Sequence, residues 1–184
     1  GFSYFRMESS DTNEKPFARF AVFVRAFFAI YFGLTAACAV LYGSFGMGIF
    51  DAVNHAMTTM ATGGFSTRDA SFGAFDSIPL LWTSTVFMTI GGMPFSVLIL
   101  FMARGRLDAL KDPQIIAYLV IIAAATLMVT VYLRLGNDET FGDAITHAAF
   151  NIVSIITTTG YASSDYTQWG PFMVAIAFFL TFLG

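Results

Sequence analysis

Two short stretches of the sequence combine threonine, glycine and small residues in a way that suits cation binding. They read ATGGFST at residues 61–67 and TTTGYAS at residues 157–163. Glycine tolerates positive φ, so successive backbone carbonyl oxygens can turn toward one side of the chain. Such oxygens can replace the hydration shell of an ion, and threonine hydroxyls can add ligands or brace the loop. The residue types therefore predict cation coordination by backbone carbonyls.

The composition is typical of a membrane protein. Hydrophobic residues make up 57% of the 184 residues and charged residues only 11%, against roughly 25% charged residues in soluble domains. The net charge of −3 and the lack of a basic patch argue against a nucleic-acid partner. The sequence contains no nucleophile–histidine–acid set, phosphate-binding loop or metal-ligand motif, so we expect neither an enzyme nor a cofactor.

Apolar runs predict the helices that position these two stretches. Three runs, at residues 26–42, 78–103 and 115–133, are long enough to be read as membrane spans. The first is extended by the apolar residues just before it. A fourth run begins at Pro171 and continues to the end of the chain. We predict helices throughout.

Two further apolar segments, at residues 49–60 and 141–156, are too short to span. At about 1.5 Å per residue they cover about half of a hydrocarbon core that is roughly 30 Å thick. Each leads into a threonine- and glycine-rich stretch that cannot continue as a stable helix. Irregular backbone survives at membrane depth only when it is buried in protein or lines a water-filled cavity. We therefore predict two re-entrant pore loops, at residues 49–67 and 141–163.

The two pore loops have the sequence features of an internal repeat. Each begins Asp-Ala-x-x-His-Ala, from Asp51 and from Asp143, and each has an aspartate after its glycine, at Asp69 and at Asp165. The interval from the first aspartate to the glycine is one helical turn longer in the second copy. We predict an all-α membrane protein built from repeated span–pore helix–filter loop–span units. The predicted divisions are an interfacial linker at 1–19, a first unit at 20–112 and a second, truncated unit at 113–184.

Positive charges predict the orientation. Only Arg68 and Arg134 lie on the half-helix side, so the positive-inside rule places the half-helix entrances outside. The C-terminal ends of the half-helices then point to the middle of the bilayer, where their partial negative charge favours a cation. Acidic residues outside would concentrate cations, although ordinary solvated loops are often acidic too. The alternative is a half-helix transporter or channel for another cation or a small solute.

Other polar and glycine positions have structural interpretations. His55 and His147 occupy matching places in the motif, and neither has a second ligand one helical turn away. We expect them to pack or to hydrogen-bond a neighbouring helix. The Gly91-Gly92-x-Pro94 sequence predicts close packing and a kink, with a gate hinge as the alternative.

These residues resemble the potassium transporters of the TrkH/TrkG/KtrB superfamily, and TrkH most of all. The resemblance covers nearly the whole chain. It rests on TTMATGGFST, SIITTTGYASSDY, the FRMESSD linker, IGGMPF at 90–95 and the final TFLG. In that family four such units surround one pore axis in a potassium-channel-like architecture, and this chain resembles the second unit and most of the third.

The resemblance implies a potassium selectivity filter with one key glycine in each unit. It implies potassium uptake across the bacterial inner membrane, the remaining units of a parent chain, a homodimer and a cytosolic nucleotide-binding ring of the TrkA type as partner. No cofactor is implied, since potassium is the substrate. The implied ion-coordinating residues are Thr62, Gly63, Gly64, Thr158, Thr159 and Gly160, with supporting positions at Phe65, Ser66, Tyr161 and Ala162.

Overall fold

A computed structural model describes residues 14–105, 111–136 and 140–184, which form helices joined by short loops and contain no β-strand. Two short 3₁₀ turns lie at Ser71–Ala74 and Tyr166–Trp169. The helices are α1 (Glu14–Ser44), α2 (Ile49–Met60), α3 (Ile78–Gly91), α4 (Phe95–Arg104), α5 (Pro113–Gly136), α6 (Phe141–Ile156) and α7 (Pro171–Thr181). Helices α1–α4 form the first unit and α5–α7 the second.

Two of the helices are long and apolar enough to cross a membrane. These are α5 and the Phe20–Ser44 part of α1, as the apolar runs predict. Helix α1 begins at Glu14, inside the segment predicted as linker, and residues 1–13 of that segment lie outside the described residues. The early start is compatible with Pro16, because proline is tolerated in the first turn of a helix.

The two half-helices are confirmed as α2 and α6, with 12 and 16 residues. Both end where threonine and glycine replace good helix formers, at the C-caps Ala61 and Thr157. Helix α6 begins with the N-cap Thr140, whose hydroxyl accepts from the backbone N–H of Asp143 and donates to its carboxylate. Asp143 therefore takes part in the N-terminal cap of α6, while Asp51 in α2 has other partners.

The apolar run at residues 78–103 forms two helices, α3 and α4, with a bend of 101° that confirms the kink predicted at Gly91-Gly92-x-Pro94. Pro94 has no N–H to give to Ile90, and the N–H of Met93 bonds the Ile90 carbonyl instead of that of Thr89. The Tyr118 hydroxyl, from α5, donates to the Thr89 carbonyl at 3.2 Å. Helix α5 of the second unit thus donates a hydrogen bond to the C-terminal end of α3, where the helix breaks.

Two buried clusters hold the helices together. The first contains residues of α1, α2 and α3 together with Phe150, Val153 and Tyr161 from the second unit. The second lies among α5, α6 and α7 and includes Val129 and Ile152. Large apolar side chains elsewhere on α1, α5 and α7 are exposed, as expected of surfaces that meet lipid or further protein.

The close packing at the break between α3 and α4 predicts that an added methyl group lowers stability at Gly92 but not at Gly33. A Cβ at Gly92 would lie 2.6 Å from the Tyr118 hydroxyl and 2.9 Å from Thr157 Cγ2, whereas a Cβ at Gly33 has nothing within 4 Å. We expect Gly92→Ala to destabilise the protein by about 1–3 kcal/mol, as overpacking does. Gly33→Ala should be neutral or stabilising by up to about 1 kcal/mol. Thermal unfolding of the full-length protein in detergent measures both, and equal midpoints would show that the break is loosely packed.

Candidate functional site

The two glycine loops, at residues 61–67 and 157–163, share one backbone conformation. Positive φ occurs at Thr62 (47°) and Gly64 (65°) in the first loop, and at Thr158 (57°) and Gly160 (87°) in the second. Positive φ is uncommon for a β-branched residue and costs free energy that the surroundings must offset. The two loops have the same alternation in the same place, which shows that they are structural copies.

Hydrogen bonds from the preceding half-helix hold each loop in this conformation. The Thr58 carbonyl accepts from the N–H of Gly63 at 2.8 Å, and the Thr58 hydroxyl donates to the Phe65 carbonyl at 2.9 Å. In the second loop the Ser154 carbonyl accepts from the N–H of Thr159 at 2.9 Å, and the Ser154 hydroxyl donates to the Tyr161 carbonyl at 2.7 Å. In every pair of equivalent residues, the two positions are as far apart in the chain as Gly64 and Gly160. Thr58 and Ser154 were not predicted from the sequence, although both stand six positions before a filter glycine.

These bonds leave one group of carbonyl oxygens unpaired. Within the described part of the chain, no N–H or O–H donates to the carbonyls of the six residues predicted to coordinate an ion. The carbonyls of Phe65 and Tyr161, one residue further along, are both used. Carbonyls without a protein donor are free to accept from water or to coordinate an ion, so each loop presents oxygens suited to a cation. The six residues are Thr62, Gly63, Gly64, Thr158, Thr159 and Gly160.

The structure brings the two glycine loops side by side. A Cβ built on Gly64 would lie 1.8 Å from the Thr159 carbonyl oxygen and 3.3 Å from the carbonyl carbon of Gly160. A Cβ built on Gly160 meets nothing within 4 Å. Gly64 is therefore closed in by the second loop, while Gly160 faces open space in this chain. Thr157 and Thr159 also share a hydrogen bond between their hydroxyls, at 2.7 Å.

The half-helices match in a different register from that of the Asp-Ala-x-x-His-Ala motif. Asp51 accepts from the Thr67 hydroxyl at 2.7 Å and forms an ion pair with Arg68 at 2.7 Å. At the same offset in the second unit, His147 Nδ1 bonds the Ser163 hydroxyl at 2.9 Å. Asp51 thus corresponds to His147, and the motif match of Asp51 with Asp143 is wrong by one turn.

By the same offset His55 corresponds to Asn151, although their partners differ by one position. His55 Nε2 bonds the Ser66 hydroxyl at 3.0 Å, and the Asn151 amide donates to the Ser163 hydroxyl at 2.9 Å. The extra turn of α6 lies at its N-terminal end, which displaced the sequence motif. The packing expected of His55 is confirmed by its contacts with Phe72 and Phe75, whereas the side-chain hydrogen bonds of His55 and His147 go to the glycine loop of their own unit and not to a neighbouring helix.

The supporting positions differ between the loops. Phe65 is 78% exposed, whereas Tyr161, at the same place in the second loop, is only 1% exposed. The Ser66 hydroxyl accepts a hydrogen bond from the backbone N–H of Arg68 at 3.0 Å, in addition to its bond with His55. The backbone of Ala162 joins the first unit, because its N–H donates to the Ser71 hydroxyl and its carbonyl accepts from Gly73.

A glycine lies against the end of each half-helix. A Cβ on Gly91 would lie 3.5 Å from the Met60 carbonyl oxygen, and one on Gly184 would lie 2.3 Å from the Ile156 carbonyl oxygen. These carbonyls belong to the last residues of α2 and α6. Both units therefore bring a later segment close to the partially negative end of the half-helix.

A cavity of about 430 Å³ lies between the two loops on the side of the aspartates. Hydrogen bonds from Thr167 and then from Gln168 lower the pKa of Asp165 below its ordinary value, so its carboxylate stays ionised near neutral pH. An ionised carboxylate beside the loops raises the local cation concentration. The lining residues are Asp69, Ala70, Ser71, Gly73, Ala162, Ser163, Ser164 and Asp165.

Known proteins with similar sequences and structures are transporters. Residues 4–184 match the TrkH family model, described as cation transport protein. The chain is 40% identical to the Trk system potassium uptake protein TrkI of Halomonas elongata, over all of this chain and 37% of that protein. It is 35% identical to TrkH of Vibrio parahaemolyticus, over 95% of this chain and 36% of that one. The crystal structure of that potassium transporter superposes with a TM-score of 0.84 at 34% identity, covering 89% of this chain and 36% of the other. The chain thus spans a little over a third of the length of these relatives.

The packing of Gly64 predicts a sharp difference between two adjacent glycines. Gly64→Ala combines positive φ with a collision against the Thr159 backbone, whereas a Cβ at Gly63 makes only an ordinary contact with the Phe65 ring, at 3.5 Å. We expect Gly64→Ala to cost about 3 kcal/mol or more and Gly63→Ala less than about 1 kcal/mol. Thermal unfolding of the full-length protein and its yield in the membrane report both changes. Equal tolerance of the two substitutions would contradict the close approach of the loops.

Proposed function

Since the chain belongs to the TrkH family of cation transport proteins, we propose that it forms part of a pathway for potassium uptake across the bacterial inner membrane. The two glycine loops act as half of a selectivity filter, in which the backbone carbonyls of Thr62, Gly63 and Gly64 and of Thr158, Thr159 and Gly160 coordinate the ion. The remaining half comes from further units of a longer chain. Phe65, Ser66, Tyr161 and Ala162 support the loops.

One observation carries this proposal. Two structurally identical loops lie side by side, and in each the carbonyls up to the glycine are unpaired while the next carbonyl is hydrogen-bonded. Unpaired carbonyls suit a dehydrated cation, since carbonyl dipoles replace its water. An anion would instead require N–H groups, as at the N-terminus of a helix.

Other features of the site support a cation. The half-helices α2 and α6 end at the loops, and the C-terminal end of a helix carries partial negative charge. The acidic cavity containing Asp69 and Asp165 lies beside the loops and would concentrate cations before they enter. The choice of potassium over another cation rests on the family and on the names of the relatives.

The partners in this proposal rest on the family resemblance alone. We propose that the full-length protein is a homodimer and that a cytosolic nucleotide-binding ring regulates it. Purification of the full-length protein from its native membrane, followed by mass measurement with and without ATP or ADP, tests both points. A monomer that retains no soluble partner would contradict them without affecting the filter assignment.

Gly160 offers the cleanest test of the filter. Gly64→Asp would fail through collision with the second loop whatever its function, whereas a Cβ at Gly160 meets nothing within 4 Å and is disfavoured only by the φ of 87°, a cost that the membrane level of the variant reports. We expect Gly160→Asp in the full-length protein to lower rubidium uptake by more than about tenfold, because a carboxylate in the path holds the cation. Gly160→Ser should weaken the preference for potassium over sodium.

Gly33→Ser is the control, since Gly33 lies in α1 with open space around its Cα. The measurements are growth of a potassium-uptake-deficient bacterium at limiting potassium, uptake of rubidium and sodium, and the amount of each variant in the membrane. If Gly160→Asp transports like the parent at a normal membrane level, the glycine loops are not the filter. Uptake of sodium or a neutral solute instead of potassium by the parent would favour the alternative half-helix transporter.

A further inference from the structure

Tyr161 links the second glycine loop to the half-helix of the first unit. Its ring is buried and packs against Phe72 with a centroid separation of 4.6 Å. Its hydroxyl hydrogen-bonds the Thr58 hydroxyl, and the His55 carbonyl oxygen lies 3.1 Å from it. The Thr59 hydroxyl lies 3.4 Å away. Tyr161 directly follows Gly160, so this anchor acts on the backbone of the candidate filter.

The protons in this cluster connect the two loops. The Thr58 hydroxyl has one proton, and its shortest carbonyl contact is Phe65 at 2.9 Å, against 3.2 Å for Asn54 and 3.3 Å for His55. Carbonyls only accept, so with the Thr58 proton on the Phe65 carbonyl the bond between the two hydroxyls requires Tyr161 to donate its proton to the Thr58 oxygen. The Tyr161 hydroxyl then bonds the group that closes the first loop, and the His55 carbonyl is its near neighbour. Tyr161 and Thr58 thus join the residue after Gly160 to the residue after Gly64.

Among the described residues, the glycine loop of the first unit has no tyrosine that anchors it in this way. Phe65 occupies the matching position, lacks a hydroxyl and is exposed in this chain. The closing bond from hydroxyl to carbonyl, in contrast, is present in both units, from Thr58 and from Ser154. The Tyr161 hydroxyl therefore has no counterpart in the first glycine loop, and it lies at the boundary between the two units.

We propose that the Tyr161 hydroxyl is a positioning group that sets the second glycine loop at a defined height against the first, and thereby determines how strongly the filter prefers potassium over sodium. This inference rests on the proposed function. The carbonyls of Thr159 and Gly160 are covalently coupled to Tyr161, and the Thr58 hydroxyl holds the end of the other loop. Loss of the link lets the two sets of carbonyls shift relative to each other, which weakens discrimination between ions of different size.

The test uses full-length protein carrying single substitutions. Tyr161→Phe removes the hydroxyl and keeps the buried ring. Thr58→Val breaks the link from the other side, while Thr58→Ser keeps it, since serine is the residue at the matching position 154. Tyr31→Phe is the matched control, because the Tyr31 hydroxyl makes no hydrogen bond to any described residue and lies in α1. The measurement is uptake of rubidium and of sodium, each normalised to protein in the membrane.

We expect Tyr161→Phe to reduce the rubidium-to-sodium uptake ratio by about threefold to tenfold, the range expected for loss of one hydrogen bond. Thr58→Val should reduce it by at least as much, because it removes both the link to Tyr161 and the bond to the Phe65 carbonyl. Thr58→Ser and Tyr31→Phe should stay near the parent ratio. The double variant Tyr161→Phe, Thr58→Val should be no worse than Thr58→Val alone, because Thr58→Val already removes the link.

Three outcomes overturn the inference. An unchanged ratio in Tyr161→Phe rules out a positioning role. An equal fall of rubidium and sodium uptake, with less protein in the membrane, shows a purely structural role. A ratio that falls equally in Thr58→Ser and Thr58→Val shows that the hydroxyl is not the relevant group. Failure of the parent protein to take up rubidium at all would instead contradict the proposed function.

Discussion

Two hydrogen bonds from hydroxyl to carbonyl, Thr58 to Phe65 and Ser154 to Tyr161, determine what each glycine loop can do. Each bond closes the loop one residue past the glycine and consumes the first carbonyl beyond it. The carbonyls of the three residues before it in each loop accept no hydrogen bond from any described residue. Positive φ at the threonine and glycine positions then gives the two loops the same shape. The remaining packing of the chain supports this arrangement.

The two units share a buried cluster and backbone hydrogen bonds. Phe150 and Tyr161 of the second unit complete the buried cluster of the first. The backbone of Ala162 pairs with Ser71 and Gly73 across the boundary. Because the second glycine loop is held by the first unit through Tyr161 and Ala162 as well as by its own half-helix, the relative position of the two loops depends on the interface. A change in either unit is therefore transmitted to both sets of carbonyls.

The helix that breaks into α3 and α4 packs against the ends of both half-helices, next to the glycine loops. The bend at Gly91-Gly92-x-Pro94 places Gly91 near the Met60 carbonyl and Gly92 near Thr157, so the break contacts the loop region of both units. Tyr118 from α5 then bonds the carbonyl of Thr89. An intact helix would require the backbone bonds that proline removes, and a side chain at position 92 would overlap Tyr118. The break is thus packed on several sides and stabilised by the neighbouring unit.

Local sequence determined the helices, both half-helices to the residue, and the two loops with their positive φ at glycine. These features depend on nearest neighbours, because apolar runs propagate helices, and threonine and glycine end them. The sequence also located the kink at Gly91-Gly92-x-Pro94, whereas tertiary structure decided its angle of 101°, the register that matches Asp51 with His147, and the partners of Tyr161. The motif at the start of each half-helix suggested another register, since only hydrogen bonds to the loop reveal that α6 has its extra turn at the N-terminus. Such bonds join groups far apart in the chain, and no local pattern of residues specifies them.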